Sequence, residues 1–249
     1  MTIPHFSRLI RWTLLQLLLW CGFCSCQSLP EPLAMTPVNA TLVTRLAGDR
    51  GLVPVNFYAA GIRVQLPYAT PRNAFNQVLY PPGFPALAAK GTALKLAAAQ
   101  KSLRPYGLSL MVLDAYRPPE VQWQIYQLFR DDAYVADPRR KWSKHCYGRA
   151  VDVTLTDKSG RPLEMPSEFD DFSKKAAATY TGDDPAIRYR LGLLQKAMRD
   201  AGFSVYSGEW WHFNDLSDPA QLDGPPVFGR DLGLPVKNSG ASAADDEGN

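Results

Sequence analysis

Two of the three histidines in this chain lie in short clusters of metal-binding and acid/base side chains, and a fold that uses both must bring distant segments together. His145 sits in Ser143-Lys144-His145-Cys146-Tyr147-Gly148-Arg149-Ala150-Val151-Asp152, and His212 closes Glu209-Trp210-Trp211-His212. A catalytic zinc takes three protein ligands and keeps a fourth position open for water, and two histidines with an aspartate are suitable donors. Glu209, close to His212, offers a base for the water's proton. The two clusters together hold the inventory of a zinc hydrolase. A lone histidine is more often a hydrogen-bonded core or surface residue than a ligand, so the reading rests on the pair and its acidic company.

The third histidine, His5, belongs to an N-terminal leader. His5, Arg8 and Arg11 precede an apolar run from Trp12 to Phe23 that is short for a bilayer span, which predicts an export signal over residues 1–26. The mature protein is expected outside the cytoplasm, in the periplasm or cell envelope. Phe23-Cys24-Ser25-Cys26 faintly resembles a bacterial lipoprotein cleavage box: the residue before Cys26 is small, whereas Phe23 and Cys24 match poorly. Two outcomes stay open. A lipidated Cys26 would tether a soluble domain to a membrane surface, and ordinary cleavage would release it.

With Cys21, Cys24 and Cys26 in or just after the leader, Cys146 is the one cysteine of the mature part, so no internal disulfide is possible. Stability must come from a packed core, which a chain of 249 residues with 46% hydrophobic composition can build. A formal charge of +3, without a basic tract interleaved with aromatics, argues against nucleic acid as a partner.

Residues 27–50 are Pro-rich and mixed and read as a spacer. Residues 51–236 form a single composition regime without internal repeats, and residues 237–249, small, polar and acidic, read as a disordered tail. Ala86–Leu103 predicts a helix. Leu108–Leu113 has the length of a strand, and Pro118-Pro119 after it open a helix to about Asp131. Gly148–Thr156 alternates, with Val151, Val153 and Leu155 on one face and Asp152 on the other. Asp184, Pro185 and Gly202 delimit a helix with Ile187, Leu191, Leu194 and Met198 at helical spacing. Phe203–Tyr206 predicts a strand leading into Glu209. Helices and strands without regular βαβ alternation indicate an α+β domain with a mostly antiparallel sheet.

Ser143-x-His145-x2-Gly148-x-Ala150-x-Asp152, followed downstream by Glu209-Trp210-Trp211-His212, resembles the zinc D-alanyl-D-alanine dipeptidases associated with cell-wall turnover and vancomycin resistance. Their wider superfamily includes D,D-carboxypeptidases and the hedgehog signalling domain. The likeness extends through Tyr68-Ala69-Thr70, Asp114-Ala115-Tyr116-Arg117-Pro118 and Phe169-Asp170-Asp171-Phe172-Ser173, from about residue 55 to 215. It implies a hedgehog/D,D-peptidase-like fold and one Zn2+ per chain on His145, Asp152 and His212. It further implies Glu209 as catalytic base, Arg117 as donor to the carbonyl oxygen, Asp170 with Tyr68 as the site for the substrate's free ammonium, and Ser143 as a substrate contact. The implied partner is a small peptide, D-Ala-D-Ala. A D,D-carboxypeptidase on peptidoglycan stem peptides is the alternative among enzymes. A non-catalytic, zinc-stabilised peptidoglycan-binding module is the alternative outside them, although such a module needs neither Glu209 nor Arg117.

Departures from the pattern fall in two places. Pro71-Arg72-Asn73-Ala74-Phe75 carries one residue more than the family's spacing, which bears on the pocket wall near Tyr80. Cys146 adjoins His145, but neighbouring residues in extended chain point apart, so it is not expected to ligate. Trp210 and Trp211 read as packing residues.

Overall fold

Asn39 starts the first helix of the computed structural model, which describes residues 30–216 and 224–237; the expected leader and the tail from Asn238 lie outside the described residues. Its side chain accepts the Leu42 N–H and caps α1, Ala40–Gly48. The chain continues through β1 (Leu52–Pro54), β2 (Arg63–Val64) and β3 (Leu87–Ala89) into α2 (Lys90–Leu103). β4 (Ser109–Asp114) leads to α3 (Pro119–Leu128), β5 (Ala150–Thr156), α4 (Pro185–Asp200) and the hairpin of β6 (Phe203–Val205) and β7 (His212–Asp215).

Five strands form one sheet in the order β2-β4-β5-β7-β6, in which the β2–β4 pair alone is parallel. The architecture is therefore α+β with a mostly antiparallel sheet, as expected. A second, two-stranded sheet pairs β1 with β3, and that pairing moves the start of α2 from the expected Ala86 to Lys90. Asp184 caps α4 by accepting the Ala186 and Ile187 N–H groups, with Pro185 in the first turn and Gly202 just beyond the end at φ +92°. α3 stops at Leu128, short of the expected Asp131, because Phe129 turns extended.

The alternation of β5 divides its side chains between two environments. Val151, Val153 and Leu155 enter the main core with Leu110 and Val112 of β4, Leu96 and Ala99 of α2, and Leu191, Leu194 and Met198 of α4. Asp152 points the other way, toward an aromatic-rich second core built around Tyr68, Tyr80, Tyr116 and α3.

The stretch expected as a spacer belongs to this second core. Leu33, Val43 and Ala47 pack with Leu52, Leu232 and Leu234, and Leu33 bridges to Val236. The Lys237 N–H donates to the Pro32 carbonyl. Three prolines within residues 30–37 give this stretch the look of a spacer and obscure one short helix after them, whose buried positions, Val43 and Ala47, are four residues apart. The folded unit thus reaches from Leu33 to Lys237, with both chain ends of the described residues bound side by side.

Candidate active site

Strand register places the central groups. Across the sheet Asp114 pairs with Asp152 and Asp152 with His212, so three polar side chains stand in a row on β4, β5 and β7. His145 reaches them from a 3-10 turn, Lys144–Tyr147, capped by the Ser143 hydroxyl, which accepts the His145 N–H at 3.3 Å. Gly148 ends that turn at φ +64°, where a Cβ would lie 2.6 Å from Leu52 and 2.7 Å from the Ala89 nitrogen. Glycine is required there for both reasons.

His145 Nε2, Asp152 Oδ1 and His212 Nδ1 form a triangle with sides of 3.4, 3.0 and 3.2 Å. A tetrahedral zinc with bonds of about 2.0 Å has donor–donor edges of about 3.3 Å, so the three atoms suit one such ion. The tautomers suit it as well. His145 Nδ1 faces the Ala115 carbonyl at 2.6 Å, which can only accept, so Nδ1 carries the hydrogen and Nε2 offers its lone pair. His212 Nε2 lies 3.2 Å from Asn214 Oδ1, leaving Nδ1 for the triangle. Burial works to raise the Asp152 pKa, but the two imidazoles prevail and hold the carboxyl well below its ordinary range. Cys146 is fully buried in the core beneath, and burial pushes its thiol far above the ordinary value.

Glu209 and His212, three residues apart, would face opposite sides of a regular strand, and a turn brings them together. After β6 the Glu209 N–H donates to the Tyr206 carbonyl and the Trp210 N–H to the Ala176 carbonyl, and the chain resumes as a strand at His212. Glu209 Oε2 thereby comes 3.7 Å from His212 Nδ1. Burial pushes the Glu209 carboxyl up to about 8, with His212 opposing and Asp152 and Asp170 adding to the shift.

Arg117 is anchored by Asp114, whose own environment is crowded. Asp114 Oδ1 accepts from the Tyr80 hydroxyl at 2.5 Å and the Ala115 N–H at 2.9 Å, and Oδ2 accepts both Arg117 Nε at 2.9 Å and Nη2 at 2.7 Å. Arg117 therefore makes a local ion pair with Asp114 and also faces the site, with Nη2 3.8 Å from Asp152 Oδ2. Burial works against its charge, but Asp114 prevails and raises its pKa well above the ordinary value. Tyr80 lies behind this pair, fully buried, and is not part of the cavity wall.

Asp170 occupies the left-handed region at φ +59°, and its Oδ2 accepts the Tyr68 hydroxyl at 2.8 Å. Burial pushes its carboxyl up to about 7 against the lowering effect of that hydrogen bond. His145, Asp152, His212, Glu209, Arg117, Asp170, Tyr68 and Ser143 all line one cavity of about 300 Å³. Phe75, from the segment with the extra residue, lines it too, as does Trp211; Trp210 packs in the main core with its indole N–H on Ser167 Oγ.

Four contributors escaped the sequence reading. Asp114 lies in one of the matching motifs, but nothing in the sequence gives it a role. Asn214 carried a usable signal, because residues two apart on a strand share a face and His212 begins β7. Gln122 and the Ala115 carbonyl carried none.

A buried and a half-buried histidine joined to an aspartate, with a carboxylate and an arginine about one small cavity, define a metal-dependent hydrolase of small substrates. Comparison narrows this class. A family model described as D-ala-D-ala dipeptidase matches residues 49–225, and the chain belongs to that family of zinc metallopeptidases. It is 33% identical over 152 residues to the D-alanyl-D-alanine dipeptidase of Escherichia coli, covering 61% of this chain and 78% of that protein. It is 28% identical over 148 residues to the D-alanyl-D-alanine dipeptidase of Enterococcus faecalis, covering 52% and 73%.

Proposed function

We propose that the protein hydrolyses D-Ala-D-Ala to two molecules of D-Ala in cell-wall metabolism, using one zinc ion held by His145, Asp152 and His212. The observation that carries this reading is the donor triangle with 3.0 to 3.4 Å edges beside a buried carboxylate, Glu209. Bound there, zinc supplies Lewis acidity, polarising the scissile carbonyl and lowering the pKa of a water molecule toward neutrality.

This chain's residues do the rest. Glu209 takes the water's proton and returns it to the leaving amine. It ionises more readily beside a divalent cation than its burial alone would allow. Arg117 donates N–H groups to the carbonyl oxygen as that oxygen gains negative charge, and its own charge stays on at any working pH. Asp170 pairs with the substrate's ammonium group, its carboxylate oriented by Tyr68. Ser143 accepts from the His145 backbone, which leaves its hydroxyl hydrogen for the substrate. The cavity, at about 300 Å³, is of a size for a short peptide.

Residues 1–26 place this activity outside the cytoplasm in our reading, in the periplasm or cell envelope, with Cys26 as the anchor if lipidated; mass analysis of the mature N-terminus tests it. The catalytic reading is tested by incubating the zinc-loaded protein with free D-Ala-D-Ala and with an N-acylated stem peptide. Release of D-Ala from the free dipeptide is expected. Faster cleavage of the stem peptide would make the protein a carboxypeptidase, and bound zinc without cleavage of either would make it a binding module.

A further inference from the structure

Arg117 is held by an unusual pair of anchors. An arginine commonly meets a carboxylate fork to fork, with two parallel hydrogen bonds to two oxygens that fix its plane. Here Asp114 Oδ1 is already occupied by Tyr80 and the Ala115 N–H, so Arg117 Nε and Nη2 converge on the single oxygen Oδ2. A contact to one oxygen is a pivot about which the guanidinium can rock in its own plane. The Tyr68 ring, whose centroid lies 5.4 Å from Cζ, covers the face of the group but leaves that rocking open.

The second anchor is Gln122, one turn into α3. Its Oε1 accepts Arg117 Nη1 at 2.9 Å, on the side of the guanidinium away from Nε. Gln122 is 1% exposed and lines the cavity, and its other end is committed as well, because Nε2 donates to the Ala136 carbonyl at 3.0 Å. Ala136 belongs to the loop between α3 and Ser143, which contributes Tyr134, Val135, Ala136 and Trp142 to the cavity wall. Since the amide can satisfy Arg117 only through oxygen and Ala136 only through nitrogen, its orientation is determined by both.

We propose that Gln122 is a positioning residue for the hydrolysis: it removes the rocking freedom that the one-oxygen contact with Asp114 leaves, and so aims the remaining Arg117 N–H groups at the reacting carbonyl. The proposal rests on the role given to Arg117 above. Misalignment of a charge-stabilising donor affects the transition state more than the ground state, so its signature is a loss in kcat with little change in KM.

Two substitutions separate anchoring of Arg117 from tethering of the loop. Gln122→Leu loses both contacts, whereas Gln122→Glu keeps an oxygen for Arg117, loses the donor to Ala136 and adds a carboxylate charge beside the guanidinium. With D-Ala-D-Ala as substrate, Gln122→Leu is expected to lower kcat about tenfold or more with KM within about threefold, and Gln122→Glu to recover most of that loss. Equal losses in both variants would make Gln122 a loop tether only, and wild-type rates in both would remove it from the reaction; either overturns the proposal. A second readout is independent of turnover. Affinity for a dipeptide phosphinate, whose anionic oxygens resemble the tetrahedral intermediate, should fall about tenfold or more in Gln122→Leu and not in Gln122→Glu. An inactive wild-type protein would sink the dipeptidase reading, while the phosphinate measurement would still decide the role of Gln122.

Discussion

Asp152 and His212 stand opposite each other in register on β5 and β7, which brings Asp152 Oδ1 within 3.0 Å of His212 Nδ1. Two of the three donors are therefore set by sheet pairing itself, and the third arrives on a capped turn. Substituting any one should break the site without unfolding the sheet. His212→Ala is expected to lose stoichiometric zinc by elemental analysis while keeping its far-UV circular dichroism. Zinc content equal to wild type would show that the metal lies elsewhere.

Glu209→Gln preserves size and hydrogen bonding but cannot accept a proton. Zinc should be retained and kcat on D-Ala-D-Ala should fall by at least about a hundredfold. Steady-state kinetics paired with metal analysis checks this, and retained turnover would assign the base to another group.

Asp170 should make the enzyme prefer an unblocked amino end. A free ammonium pairs with its carboxylate, whereas an N-acylated substrate forfeits that charged hydrogen bond, worth about 2 kcal/mol, or about thirtyfold in rate. Comparing kcat/KM for D-Ala-D-Ala and its N-acetyl form measures the preference. Asp170→Ala should shrink it mainly by harming the free dipeptide; an unchanged ratio would place the ammonium elsewhere.

The same residue gives the metal-free protein a pH signature. Burial raises the folded-state pKa of Asp170 to about 7, above its unfolded value, so its neutral form favours folding. That contribution is complete below about pH 4, the ordinary range of an aspartate, and is lost as pH rises through about 7. Asp170→Asn should consequently be more stable than wild type at pH 8, by at most about 4 kcal/mol, with the difference vanishing near pH 4. Urea melts of chelator-treated protein at the two pH values test the sign.

Cys146 should be chemically silent. It adjoins His145 in sequence, yet its side chain is fully buried and its thiol is held protonated by that burial. The folded protein is expected to resist iodoacetamide at this position, by mass spectrometry, until denaturant is added. Rapid modification of the native state would mean that the turn carrying His145 opens readily.

Local patterns in the sequence carried a large part of this protein. Asp184, Pro185 and Gly202 delimit α4 because caps and breakers act within one turn. The alternation of β5 separates Asp152 from Val151 and Val153 because a strand has a period of two. The two histidine clusters declared a metal site because metal chemistry needs a small set of residue types. Tertiary structure decided what no local pattern records. Pairing of β4, β5 and β7 aligned Asp114, Asp152 and His212, and a turn after β6 turned Glu209 toward them. Tyr80 and the Ala115 N–H filled one oxygen of Asp114 and left Arg117 to share the other with itself, which is why Gln122 matters. The segment from Leu33 to Gly48 became core because the chain's other end supplied Leu232 and Leu234 to cover it. Each of these depends on which distant surfaces meet, and burial free energy is earned only when they do.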